Sequence, residues 1–254
     1  MAISTFKRNE IKFILNQSQY QGLLPELEKY MKYDAFCVGG KEYGVYNVYY
    51  DTTDNYLIRE SLSKPYYKEK IRLRSYFSPA KPEDTVFLEI KKKIGGIVAK
   101  RRITLTLEQA NAFIYEGITP SFKNDSKSYI QNQVLNELIV FLKNYTVVPR
   151  QYISYQRSAF FGKDDSSFRL TFDRAITTRS FDIGLDMGNY GTQILCPGEY
   201  LMEVKISNSM PMWLSTKLAE LQIYKTSFSK YGRAYKGRIL TAQNNSNGRV
   251  NSFV

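Results

Sequence analysis

Six short segments carry charged residues at every second position, with apolar residues between them. They are Glu10-Ile-Lys12-Phe13, Lys70-Ile-Arg72-Leu-Arg74, Leu88-Glu89-Ile-Lys91, Lys100-Arg-Arg102-Ile103-Thr104, Arg169-Leu-Thr171-Phe-Asp173 and Glu203-Val-Lys205-Ile206. On a β-strand alternate side chains point to opposite faces, so each segment has one ionic and one apolar face. Any one of them alone reads as an ordinary strand, wet on one side and packed on the other. Six together, with Lys and Arg outnumbering the acids, predict sheets that put their ionic faces around a shared cationic space. Such a space suits a long phosphate polyanion, and it points to phosphoryl transfer.

Phosphate chains need many donors at once; Arg supplies a planar fork and Lys a mobile point charge. The candidates are Lys12, Arg72, Arg74, Lys91, Lys100, Arg102, Arg157, Arg169 and Lys205. Each alone reads as a solvated surface charge, so the hypothesis rests on their convergence. A divalent ion bridging phosphates would neutralise charge as a phosphoryl group moves. Glu203 is the leading metal ligand, with Glu10, Glu89 and Asp173 as helpers. For Glu10 and Asp173, pairing with a neighbouring base is the favoured reading. Phe228-Ser229-Lys230-Tyr231-Gly232 reads as a loop whose Ser and Lys suit a phosphate contact.

Composition narrows the chemistry. The 254 residues include 36 Lys plus Arg against 24 Asp plus Glu, a formal charge of +12, which predicts an anionic partner. There is no histidine. That removes Ser-His and Cys-His catalysis, His-ligated zinc and His as acid or base, and it leaves carboxylate-held Mg²⁺ or Mn²⁺. Cys37 and Cys196 are too few for a zinc site and read as two free thiols rather than a disulfide. Neither a signal peptide nor an apolar run of membrane-spanning length is visible, so the expectation is a soluble, cytoplasmic protein. No Walker-type or dinucleotide-binding glycine motif is present.

The elements that must position these residues follow from periodicity. Strands are predicted at Phe6 to Leu15, Gly44 to Asp51, Tyr66 to Tyr76, Thr85 to Lys93, Ile97 to Leu105, Gln151 to Phe160, Ser167 to Thr177 and Tyr200 to Ser207. Helices are predicted at Gln17 to Tyr33, with Pro25 suggesting a later start, at Asn55 to Ser61, from Thr106 to about Tyr115, at Tyr129 to Tyr145, and from Trp213 to about Tyr224. The Tyr residues on strands read as core. Residues 241–254, rich in Asn, Ser and Gly, read as a flexible tail behind a single domain of residues 1–240. Runs of strands broken by helices, without strict alternation, give an α+β fold around an antiparallel sheet.

The ordered set resembles the VTC polyphosphate polymerase domain, a branch of the triphosphate tunnel metalloenzymes. The matching pieces are Arg8-x-Glu10-x-Lys12-Phe13, Tyr49-Tyr50-Asp51-Thr52, Arg72-Leu-Arg74, Leu88-Glu89-Ile-Lys91, Lys100-Arg-Arg102, Tyr155-Gln-Arg157, Arg169-Leu-Thr171-Phe-Asp173, Glu203-Val-Lys205 and Phe228-Ser229-Lys230-Tyr231. The resemblance implies an antiparallel β-barrel tunnel with flanking helices. It implies transfer of the γ-phosphate of ATP to a growing inorganic polyphosphate with Mn²⁺ or Mg²⁺. By position, Lys12, Arg72, Arg74, Lys91, Lys100, Arg157, Arg169 and Lys230 look like phosphate-binding residues, Ser229 like a supporting contact and Glu203 like the metal ligand. Hydrolytic tunnel enzymes carry Glu-x-Glu-x-Lys on the first strand; Arg8 replaces the first Glu here, which favours the polymerase branch. The inositol-phosphate sensor and membrane helices of eukaryotic members are missing, which reads as a stand-alone bacterial version and leaves room for a separate membrane partner. The competing readings are a tunnel triphosphatase or polyphosphatase and a non-catalytic polyanion-binding module; no nucleic-acid partner is expected.

Overall fold

The computed structural model describes residues 9–122, 126–207 and 209–250. Its frame is an antiparallel sheet built from β1 (Asn9–Leu15), β2 (Met31–Tyr33), β3 (Tyr43–Thr52), β4 (Tyr67–Ser75), β5 (Thr85–Ile94), β6 (Ile97–Thr106), β7 (Val147–Gly162), β8 (Arg169–Arg179), β9 (Thr192–Gln193), β10 (Tyr200–Ile206) and β11 (Lys225–Thr226). The strand order is β11-β1-β10-β8-β7-β3-β4-β5-β6, with β2 on β7 and β9 on β8. Among the described residues six α-helices flank it: α1 (Gln17–Tyr30), α2 (Tyr56–Ser63), α3 (Leu107–Asn111), α4 (Ser126–Asn144), α5 (Met212–Glu220) and α6 (Lys230–Val250). No helix among the described residues is long and apolar enough to cross a membrane.

Period-two patterning separates the faces. On β4, β5 and β6 the outward Ile71, Leu73, Leu88, Ile90, Ile103 and Leu105 are buried with Val134, Leu138 and Phe141 of α4. On β1, β8 and β10 the outward Leu15, Leu170, Phe172, Met202 and Val204 pack on Leu23 and Leu27 of α1 and Leu214 and Leu218 of α5. A third cluster lies within the curl of the sheet. There Val45, Ile153, Ile176 and Leu201 meet Ile58 of α2 and Tyr231, Ala234 and Tyr235 of α6. Register shifts at Tyr49/Tyr50 against β7 and at Ser154/Gln156 against β8 mark β-bulges, with Ala175 at φ 48° beside the second. Bulges sharpen twist and bend a strand, which is what curling a sheet requires.

The curl stops short of a closed barrel: β6 and β11 end the hydrogen-bonded order on opposite sides.

The helices differ from expectation at their ends. α1 starts at Gln17 and runs through Pro25, because an Asn16–Gln19 capping box fixes the start and Leu23 and Leu27 bury its face. Three residues expected as its last turn form β2 instead. The expected tail is also different, since α6 continues as helix to Val250. Extending a helix already nucleated and packed at its first turns costs far less than starting one, so the Asn/Ser/Gly-rich sequence follows. Arg8, like residues 251–254, lies outside the described residues. Both thiols are free, Cys37 buried and Cys196 exposed.

Candidate active site

The inward faces of the strands, with the start of α6, enclose a cavity of about 300 Å³. Its wall carries the twelve leading phosphate and metal candidates of the sequence: Lys12, Arg72, Arg74, Lys91, Lys100, Arg102, Arg157, Arg169, Glu203, Lys205, Ser229 and Lys230. Cross-strand register explains why they meet. Lys70, Lys91 and Lys100 stand in one row across β4, β5 and β6, and Arg72, Glu89 and Arg102 form the next. On the other wall Lys12 faces Glu203, Glu10 faces Lys205, Lys205 faces Arg169, and Arg157 faces Asp173. Neighbours directly opposite in a ladder are close enough to interact, so register alone brings the charges together.

Two acid-centred clusters hold much of this charge in place. Glu89, only 1% exposed, pairs with Arg72 and Lys100 at 2.6 Å each and with Arg74 at 3.8 Å. Arg72 also donates to the Tyr49 hydroxyl at 2.8 Å, and Arg74 to Asn47 at 2.9 Å and Tyr155 at 3.3 Å. Burial alone would raise the Glu89 carboxyl, but Arg72, Arg74 and Lys100 overcome it and hold the group well below the usual carboxylate range. The second cluster is built on Glu203 and Asp173. Lys230 lies 3.1 Å from Glu203 and 2.5 Å from Asp173, and Arg157 grips Asp173 through two bonds of 2.6 and 2.8 Å. Lys205 at 3.2 Å and Lys12 at 3.5 Å complete the ring around Glu203. Against the penalty of burial, Lys230, Lys205, Lys12 and Arg157 keep Glu203 ionised.

Asp173 is fully buried behind Arg157 and Lys230 rather than on the cavity wall, so it positions cations and does not face a ligand. Glu10 lines the cavity and pairs with Lys12 at 3.2 Å.

The motif read as a loop is the opening of α6. Ser229 accepts from the Gly232 N–H at 3.1 Å and caps the helix, which fixes the adjoining Lys230. Its hydroxyl therefore has a structural task, while its proton is still able to reach the cavity.

Sequence reasoning missed two groups. Lys70 lines the cavity although only Arg72 and Arg74 were singled out on that strand; the i, i+2 rule that found them extends to it. Tyr49, Tyr76 and Tyr155, expected as core on their strands, also line it, as do Tyr43 and Tyr231. Their rings belong to the inner apolar cluster, while Arg72 lies over Tyr49, Arg157 and Lys230 over Tyr155, and Lys70 over Tyr231, a dual setting that strand propensity does not reveal.

Among the described residues no three His, Cys, Asp or Glu side chains converge into a metal cage. The donor set does fit a hard cation that shares its coordination with substrate phosphates. Glu203 is ionised and faces the cavity, and the buried Thr171 hydroxyl opposite it in the ladder has no hydrogen-bond partner.

The model of the family described as the VTC domain matches residues 7–237. Among solved structures, a candidate adenylate cyclase from Bacillus halodurans aligns over 88% of this chain and 95% of its own, at 13% identity and TM-score 0.51. A second, from Vibrio parahaemolyticus, aligns over 90% and 97% at 13% identity and TM-score 0.44. A protein from Pyrococcus horikoshii OT3 aligns over 91% and 99% at 11% identity and TM-score 0.40. Among curated proteins none matches.

Proposed function

The chain belongs to the VTC domain family, and from that membership and the charge of its cavity we propose that it is a polyphosphate polymerase. It would take the γ-phosphate of ATP and add it to a growing inorganic polyphosphate. The observation that carries this reading is an imbalance: among the described residues eleven Lys and Arg side chains line the cavity against three carboxylates. A wall with that excess is electrostatically incomplete until a polyanion neutralises it.

The reaction asks little acid–base chemistry of the protein. A terminal phosphate oxygen of the acceptor chain, already anionic, attacks the γ-phosphorus. The bond from γ-phosphorus to the β,γ-bridging oxygen breaks, ADP leaves, and the chain is longer by one phosphate. No proton need be removed, which agrees with a chain without histidine. The protein's part is to hold donor and acceptor in line and to offset the charge that spreads over the equatorial oxygens. Arg72 and Arg74, braced by Glu89, Tyr49 and Asn47, would serve as rigid forks for successive phosphates. Arg157 and Lys230, braced by Asp173, serve the opposite wall. Glu203, with Glu10 beside it, would hold Mn²⁺ or Mg²⁺, which when bound supplies Lewis-acid neutralisation of phosphate oxygens.

Incubation of the purified chain with ATP and Mn²⁺, followed by gel separation and polyphosphate staining, tests the reading. A polymer ladder is expected from the native chain, and none from Arg72→Ala or Glu203→Ala variants whose circular dichroism shows an intact fold. Orthophosphate without polymer would replace this reading with hydrolysis, and binding without turnover would leave a polyanion-binding module.

A further inference from the structure

The cavity wall is cationic along most of its length but aromatic at part of its rim. Tyr43 and Tyr76 line the cavity, and both contact Phe36, which does not. Phe36 and Tyr76 are nearly parallel, at 11° with centroids 6.1 Å apart; Tyr43 lies 6.0 Å from Phe36 and 5.9 Å from Tyr76. The group continues to Phe87, 5.7 Å from Tyr76, with the Arg102 guanidinium over its ring at 4.6 Å.

Tyr43 and Tyr76 pack on the inner apolar cluster, and core packing accounts for them. It does not account for Phe36, which is 67% exposed. Nor is Phe36 on a loose segment. Its N–H donates to the Asp34 carboxylate at 2.9 Å, the Asp34 N–H donates to the Ala159 carbonyl at 2.8 Å, and the Cys37 N–H donates to the Asp34 carbonyl at 2.9 Å. The other Asp34 oxygen accepts from Arg169, a residue of the cavity, at 3.1 Å. One buried carboxylate thus ties an exposed phenyl to a phosphate-facing guanidinium.

We infer that this rim is the subsite for the base of a nucleoside triphosphate whose phosphates lie in the cavity. The inference rests on the reading of that cavity as a phosphate site. An inorganic chain has no planar face and gains nothing from aromatic rings, whereas a nucleotide carries such a face next to its phosphates. The rings are placed accordingly: Tyr43 is directly opposite Arg157 in the ladder, and Arg102 covers Phe87. Among these four side chains only two phenol hydroxyls could read a base edge. Recognition by stacking alone tolerates any base and favours the larger purines.

The experiment is calorimetric binding of ATP and of inorganic tripolyphosphate, each with Mn²⁺, to the full chain and its variants. Phe36→Ala should weaken ATP about tenfold and leave tripolyphosphate within about twofold of native, since one stacking contact is lost and no phosphate contact. Phe36→Tyr should retain ATP affinity, and GTP should bind about as well as ATP. Equal weakening of both ligands, or of neither, by Phe36→Ala overturns the base subsite while leaving the phosphate cavity standing. A native chain that binds neither ligand overturns the cavity reading and the subsite with it.

Discussion

Lys70 is the residue whose surroundings make the sharpest demand on a ligand. Lys91 is beside it in the ladder, Lys68 is two residues away on its own strand, and Lys12 approaches from β1; Asp51 weakly favours its charge. Among the described residues neither Lys70 nor Lys91 is in an ion pair, and the Lys70 ammonium lies over the Tyr231 ring at 5.8 Å. Burial first, then Lys91, Lys68 and Lys12, pull the Lys70 ammonium down to about 7. A bound polyphosphate restores the charged form, so at pH 8 the native chain should take up a proton at Lys70 as it binds tripolyphosphate, and affinity should fall as pH rises through 7. Lys100 of the same row is also pulled down to about 7, by burial and then Arg72, so Lys70→Arg, which keeps its charge throughout this range, should lower the proton count and leave the share taken up at Lys100. Binding enthalpies measured in two buffers of different ionisation heat give the proton count directly. Equal counts for native and Lys70→Arg would rule out this role. The tyrosines pose the same problem of legibility at this scale. Tyr155 is 3% exposed, yet it lies between Arg157 and Arg74, whose charges overcome burial and lower its phenol. Nothing in one strand's sequence shows which cations a neighbouring strand will bring to it.

At the scale of elements, most of the frame was legible and the site-closing helix was not. The strands of the wall were readable because alternation of charge and aliphatic side chains has the period of a half-buried strand. The short β2, β9 and β11 carry two or three residues each, too few for any period to register. α6 was unreadable because Gly232, Gly237 and the Asn/Ser run are poor helix formers, and its stability comes from tertiary contacts of Tyr231, Ala234 and Tyr235. Asp51 shows how such contacts are organised. It is fully buried, accepts from the Leu57 and Ile58 N–H groups at 2.8 and 3.0 Å, and accepts the Tyr231 hydroxyl at 2.8 Å. One carboxylate therefore caps α2 and docks α6 at once. Asp51→Ala should cost about 2–4 kcal/mol in urea unfolding, because it strands two helix N–H groups and a phenol. Tyr231→Phe, which removes one bond only, should cost about 1 kcal/mol. If the two variants proved equally stable, Asp51 would not be the joint between these helices.

For the whole molecule, the charge that specifies the ligand also works against the fold. The formal charge is +12, and the cavity concentrates part of it on facing walls that no strand pairing closes. Buried Glu89, Asp173 and Glu203 offset some of that repulsion, each held ionised below its ordinary range by its cations. Groups depressed in this way stabilise the fold fully above the unfolded carboxylate range and lose their contribution as pH falls below about 4. The remaining repulsion is relieved only by an anion that reaches several cations together. A ligand bound by the native state alone raises the unfolding midpoint by an amount that grows with the logarithm of its concentration over its dissociation constant. Tripolyphosphate, spanning more of the rows formed by Lys70, Lys91, Lys100 and Arg72, should therefore raise the thermal midpoint more than pyrophosphate, and pyrophosphate more than orthophosphate, at equal concentration. Chloride at about 0.5 M should shrink those differences, since surface-accessible charges are screened within a few ångströms at that ionic strength. Arg72→Ala should shrink them as well, by removing one contact from the row. A midpoint raised equally by sulfate and by tripolyphosphate would mean that the cavity responds to ionic strength alone and does not recognise a chain of phosphates.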